Sequence, residues 1–387
     1  MMRCFSAIAI LFILCSLTSS CASTRIGNMS KDGSFVIEND EARMWKRAEE
    51  LREALDKSGF IYQDNALEAY INEVLHKLTG LYEAANKVFL KAYILRDPFF
   101  NAFCLPDGTI YLHTSMLANA ENEAQLATLL AHEAQHFLKR HSLKEFRSGI
   151  NKSAFLCSLT IATGGVGALL GQYCIVGSCY GYSRELEREA DNGAFEMVTN
   201  AGYPYEEPKK FMENLYEVTK DDKDRTPYFY STHPKTKERI KNFEELIKMY
   251  EQGVEAKGHS KTIEKDEHYN NLVRQLLLDN ADLEIRANKL QQARRHMERY
   301  NSFWPTDPDG YYIMGKTYLM ENQRVDAEKF FQKALEIDPK FADAHRDLGM
   351  LYLKNKQNDK AKNEFKLYLT LKPDASDAAY IEWYVNE

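Results

Sequence analysis

Apolar residues recur at helical spacing early in the chain. Met44, Trp45, Ala48, Leu51 and Leu55 form one stripe, and Leu67, Ile71, Val74, Leu75 and Leu78 form a second. Asn65 and Glu68 precede the second stripe as a capping-box signal. Val88 to Leu95 and Thr109 to His113 read as short strands, and Pro106-Asp107-Gly108 is a turn signal just before the second. A long helix is expected through Leu126, Leu129, Leu130 and Phe137. Another follows through Leu186, Ala190, Gly193, Ala194 and Met197. Residues 154–171 are strongly apolar but contain four glycines and are barely long enough to span a bilayer. They are read as a buried or surface-lying helical hairpin, with contact to a membrane or an apolar partner as the alternative.

The last third repeats itself every 34 residues: Gly315 matches Gly349, Tyr318 matches Tyr352, Ala327 matches Ala361, Phe331 matches Phe365 and Pro339 matches Pro373. Ala281, Ala293, Met297 and Pro305 are a weaker copy one period earlier. Period and residue set resemble the tetratricopeptide repeat, a helix–turn–helix unit whose small residues let helices approach and whose aromatics fill the gaps. Asp377 to Val385 is expected as a final capping helix. Such stacks present a concave surface to peptides or partner proteins; the plainer alternative is that this one only braces the first domain.

The N-terminus has a different pattern. Arg3 precedes a mostly apolar run from Phe5 to Leu17, closed by Thr18, Ser19 and Ser20. This is the layout of a secretory signal, and the run is too short for a comfortable span. Thr18-Ser19-Ser20-Cys21 resembles a bacterial lipobox with Cys21 as the lipidated residue, although Leu17 lies one place earlier than usual; plain signal cleavage is the alternative. With Ala22 after the cysteine, the expected location is the periplasm, anchored to the outer membrane. The expected organisation is a signal at 1–20, a lipid-anchored linker at 21–40, a first domain at 41–250, a linker at 251–270 and repeats at 271–387. Cys4 and Cys15 leave with the signal. An oxidising compartment permits disulfides among Cys104, Cys157, Cys174 and Cys179, and sequence cannot choose the pairing.

Composition adds exclusions. Apolar residues make up 44% and charged residues 28% of 387, which rules out wholesale disorder and a multi-span membrane protein. A formal charge of −7 gives no global footprint for nucleic acid, and none is expected as a partner.

The chemistry is carried by His132-Glu133-Ala134-Gln135-His136, an HExxH on the long helix. A spacing of four puts both imidazoles on one face, where two nitrogens can bind one zinc ion. Glu133 then lies beside the site, able to take a proton from water activated by the metal. A third ligand is needed. Ser142 stands where a metzincin has its third histidine, and His141 is one residue off. Glu187 and Asp191 border one side of the later stripe; Glu185 and Glu189 border the other, so spacing leaves the choice open.

The segment from Asn101-Ala102-Phe103 through His141, followed by Glu187-x-x-x-Asp191, resembles the gluzincin family of HtpX-type heat-shock proteases and CAAX prenyl proteases. The resemblance implies a mostly helical α+β zincin domain with a small sheet, followed here by an all-α repeat solenoid. It also implies one zinc ion held by His132, His136 and Glu187, with Asp191 supporting a ligand. Thr232-His233-Pro234, with Arg239 downstream, matches another family segment; there His233 would stabilise an oxyanion or cap a resting zinc. In such proteases a substrate strand pairs with a sheet edge beside the metal, which suits extended, unfolded chains. Cys104, where the family commonly has a small residue, and the loop from Cys174 to Cys179 depart from the pattern.

Together with an export signal and C-terminal repeats, the resemblance implies zinc-dependent endoproteolysis of unfolded or misassembled outer-membrane proteins. The repeats would hold substrate or dock on the β-barrel assembly machinery. The rival reading is a non-proteolytic repeat scaffold or chaperone with a latent metal site. An integral-membrane prenyl protease lacks the required spans.

Overall fold

In the computed structural model, residues 26–33, 35–148, 182–220, 236–253 and 266–386 are described. The first apolar stripe folds as α1 (Asn39–Asp56), burying Met44, Ala48, Leu51 and Leu55. The second folds as α2 (Asn65–Asn86), but its cap lies one residue before the expected signal. Asp64 Oδ1 accepts from the amides of Ala66 and Leu67, because the carboxylate reaches the first orphan donors as well as an asparagine would.

A three-stranded sheet follows, in the order β1 (Lys91–Leu95), β3 (Thr109–His113), β2 (Ala102–Cys104). β1 runs parallel to β3 and β2 antiparallel to it. The first strand begins three residues later than the apolar run, since the amide of Val88 is spent closing α2 on Glu83 O. Gly108, at φ +90°, lets Leu105 to Thr109 turn as expected. The outer side of β1 is covered by Phe60 to Tyr62, with Tyr62 N donating to Ile94 O and Arg96 N to Phe60 O. No described segment pairs with the outer side of β2.

Beyond β3 come α3 (Thr114–Asn119), α4 (Glu123–Leu138) and α5 (His141–Ser148). Every residue of α4 from Ala124 to Leu138 is buried, so it is the central rod of the domain. Packed around it are α2, β2, α6 (Arg184–Asn200) and α7 (Glu207–Thr219); α8 (Thr236–Gly253) lies against α6 and α7. Part of the segment expected as linker is laid on this domain: Met29 is buried and donates its amide to Leu138 O. Arg140, just past α4, pairs with buried Glu41 at 2.5 Å and donates to Gly27 O.

The repeats form the helix pairs α9 (Glu267–Arg286) with α10 (Leu290–Phe303), α11 (Pro308–Met320) with α12 (Arg324–Ile337), and α13 (Ala342–Lys354) with α14 (Asn358–Leu371). The helix α15 (Ala378–Asn386) closes the stack. Pro305, Pro339 and Pro373 each stand two residues past the second helix of a pair. The first pair shares the core of the first domain: Tyr269, Val273, Leu276 and Leu277 belong with Leu117 and Leu130. None of the described helices is long and apolar enough to cross a membrane. The expected signal at 1–20, Cys21 and residues 154–171 lie outside the described residues, as do Cys157, Cys174 and Cys179.

The repeat register has a steric reason. A Cβ on Gly315 would stand 2.5 Å from the Phe331 ring, and one on Gly349 would meet Phe365 at the same distance. Both rings are fully buried. Gly315→Val should therefore lower stability to urea by about 1–3 kcal/mol through overpacking. A variant as stable as the parent would show that this contact does not set the helix spacing.

Candidate metal centre

The 3.6-residue period of α4 stacks His132 one turn below His136, with their Nε2 atoms 3.1 Å apart. From α6, capped by Ser183, Glu187 reaches both: Oε2 is 3.5 Å from His132 Nε2 and Oε1 is 3.5 Å from His136 Nε2. All three side chains are buried, and they are the one such group of potential metal ligands among the described residues. Nitrogen and oxygen ligands about 2.0–2.1 Å from a tetrahedral zinc stand about 3.3 Å from one another. The closest approaches, 3.1 Å between the imidazoles and 3.5 Å from each to a different Glu187 oxygen, are of that order, so the donor set fits a zinc ion in type and lies close enough to share one.

Each imidazole is held at its far nitrogen. His132 Nδ1 lies 3.0 Å from Asp191 Oδ1, one turn along α6 from Glu187. Arg239, from α8, grips the same carboxylate, with Nη2 at 2.7 Å from Oδ1 and Nε at 3.0 Å from Oδ2. Its Nη1 is 3.8 Å from Glu187 Oε2. Arg239 Nη2 also lies 3.2 Å from His132 Nδ1. With Nε2 ligating a metal, Nδ1 would carry the proton and donate it to Asp191, and the guanidinium would be a neighbour there and not a donor. Burial alone would raise the Asp191 carboxyl, but the Arg239 guanidinium and the bond from His132 outweigh it and bring it down to about 2.

His136 is surrounded differently. His141 Nδ1 lies 2.9 Å from His136 Nδ1, and the Tyr182 ring stacks on His136 at 3.9 Å between centroids. The Tyr182 hydroxyl lies 3.1 Å from Ser142 Oγ. Burial, with Lys144 adding to it, pushes the His141 imidazole down to about 4. Glu133 is buried beside the pair on α4. Across from it on β2, burial and then the Glu133 charge push the Cys104 thiol up, which keeps it protonated.

The structure thus brings His132, Glu133, His136, Glu187 and Asp191 together. His233 lies outside the described residues; from that segment, Thr236 and Arg239 at the start of α8 are described, and both are buried. His141 points at a ligand and not at the metal position. Of the glutamates that spacing left open, Glu185 is exposed and Glu189 half-buried, facing Lys144 and His141. In the sequence, Arg239 stands out only as part of the Thr232-His233-Pro234 family segment and His141 only as a ligand candidate one residue out of place, and neither carries there the role that the structure gives it; Tyr182 carries no signal.

Residues 65–247 match peptidase family M48, and residues 318–381 match a tetratricopeptide repeat. The chain therefore carries a peptidase M48 domain followed by C-terminal repeats. Over 204 residues it is 26% identical to the putative beta-barrel assembly-enhancing protease of Vibrio cholerae, covering 49% of this chain and 41% of that one. The Escherichia coli beta-barrel assembly-enhancing protease is 23% identical over 192 residues, 46% of this chain and 39% of that one. The mitochondrial metalloendopeptidase OMA1 of Schizosaccharomyces pombe is 27% identical over 181 residues, 46% of this chain and 52% of that one. The chain spans about half or less of the length of these relatives. The M48 family implies a metal, typically zinc, in agreement with the donor set.

Arg239 is the buried counter-charge to Asp191 and Glu187. Arg239→Met should cost about 3–5 kcal/mol, because it leaves buried carboxylates uncompensated. Urea unfolding of chelator-treated protein checks this without a contribution from metal. A loss below about 1 kcal/mol would mean that solvent or another group already screens Asp191.

Proposed function

We propose that the chain is a zinc-dependent endopeptidase of the cell envelope that cleaves unfolded or misassembled outer-membrane proteins. The observation that carries this reading is the buried trio His132, His136 and Glu187, close enough to share one ion, with Glu133 next to His132 on the same helix. When bound, one zinc ion supplies Lewis acidity for water and for a carbonyl oxygen. The chain's own residues do the rest. His132, His136 and Glu187 hold the ion, and Asp191 fixes the tautomer of His132. Glu133 takes a proton from the attacking water and returns it to the departing amine. His233 would add oxyanion stabilisation, or cover the site at rest.

The sheet supports the substrate class. The outer side of β2 is unpaired among the described residues, while the opposite side of the sheet is covered. β2 packs on α4, so an extended chain pairing there by backbone hydrogen bonds would lie beside Glu133. That mode of recognition reads extension more than sequence, as a protease of unfolded proteins requires. The relatives named for β-barrel assembly suggest outer-membrane clients and docking on the assembly machinery through the repeats. In this reading Cys21 carries the lipid that tethers the enzyme at the periplasmic face of the outer membrane.

Glu133→Gln keeps the shape of the side chain and removes its basicity. Cleavage of a denatured outer-membrane protein, followed by gel, should fall at least about 100-fold. Zinc content by mass spectrometry should stay at one ion per chain. Cleavage at the parental rate would sink the mechanism, and would leave the repeats as a scaffold beside a latent site.

A further inference from the structure

The two zinc-facing imidazoles are not supported alike. His132 is backed by a carboxylate, Asp191, and through it by Arg239. His136 is backed by a third imidazole. His141 is fully buried at the start of α5, with its Nδ1 2.9 Å from His136 Nδ1 and its Nε2 3.3 Å from Glu189 Oε2. Glu189 is itself held: Lys144 Nζ lies 3.2 Å from the same oxygen, and Asn28 Nδ2 donates to the other at 3.3 Å. Two ring nitrogens facing each other at that distance need one proton between them, so one donates and the other accepts.

We propose that His141 and Glu189 form a positioning relay that fixes the tautomer and ring orientation of His136. The direction of the relay follows from the site. His136 Nε2 lies with His132 Nε2 and Glu187 at the candidate metal position; to ligate zinc there it presents a lone pair, and the His136 proton then sits on Nδ1. His141 Nδ1 must accept that proton's hydrogen bond. The His141 proton is thereby placed on Nε2, where it is donated to Glu189. Tyr182, stacked within 16° of parallel on His136, restricts the remaining freedom, rotation of the ring out of its plane. His141 touches no reacting atom and acts only through His136. The relay rests on the zinc reading above.

The test is metal affinity of the full-length chain, measured by competition with a chromophoric zinc chelator for the parent, His141→Phe and His141→Asn. Phenylalanine keeps a buried ring and removes the acceptor; asparagine restores an acceptor oxygen near the position of Nδ1. His141→Phe should bind zinc about 10–100-fold more weakly, the usual cost of losing such an outer partner, and His141→Asn should recover most of that loss. Thermal unfolding of the metal-free proteins separates orientation from folding, because a relay predicts that affinity tracks the acceptor even where both variants melt alike. Parental affinity in His141→Phe would overturn the relay, and so would equal weakening in the two variants. A parent chain that binds no zinc would instead remove the proposed function, and the relay with it.

Discussion

The structure depends on one conflict: α4 is buried on every side, yet it carries His132, Glu133, Gln135 and His136. An apolar helix could sit there without further arrangement. Imidazoles and a carboxylate cannot, because a polar group taken from water without a partner costs several kcal/mol, and a charge costs more. The neighbouring elements each bring something to that helix. The helix α6 brings Glu187 and Asp191, α8 brings Arg239, and α5 turns back so that His141 meets His136.

The same helix ties the site to the repeats. Asp266 caps the start of α9 and also accepts from the amide of Glu123, the first residue of α4. Arg299, on α10, donates to the carbonyls of Ala118, in the last turn of α3, and Ala120, just past it, and the Tyr269 hydroxyl donates to Leu117 O. These bonds satisfy backbone groups that the short helix α3 leaves open at its end. The first repeat is thus part of the frame that holds the rod, while the outer two pairs form their own apolar cluster around Phe331, Leu351 and Phe365. Bracing by the first pair is compatible with the binding surface proposed for the repeats, because the outer two pairs pack around a cluster of their own.

Much of this was legible in the sequence wherever a period existed. The pair His132 and His136 is a statement about one helical turn, and the matches Gly315 to Gly349 and Phe331 to Phe365 are a statement about one repeat. What lacks a period was hidden. The strand β2 has three residues, too few to alternate, and was not read as a strand of its own. The choice among Glu185, Glu187 and Glu189 depends on which side of α6 meets α4, and spacing along α6 cannot supply that. The resemblance to known gluzincins named Glu187, and the packing puts Glu187 beside both histidines. His141 shows the limit most clearly: counted along the chain it misses the third-ligand position of a metzincin by one residue. In space, that offset turns it from the metal position to the back of a ligand.

Charge gives the last step. Glu133, Glu187 and Asp191 are buried together, and the buried cation among the described residues that faces them is Arg239. Three carboxylates against one guanidinium leave a formal excess of negative charge at a place with little water. A pocket balanced for structure alone would have been neutral, or would have replaced the ions by apolar side chains of similar volume, which is often no less stable. An arrangement that retains the excess, and turns two imidazole lone pairs and a carboxylate toward one point, is matched by a divalent cation. The Arg239 guanidinium pairs with Asp191 and also lies 3.4 Å from His132 Nε2 and 3.8 Å from Glu187 Oε2, so it balances part of this charge and leaves the excess that a divalent cation would match.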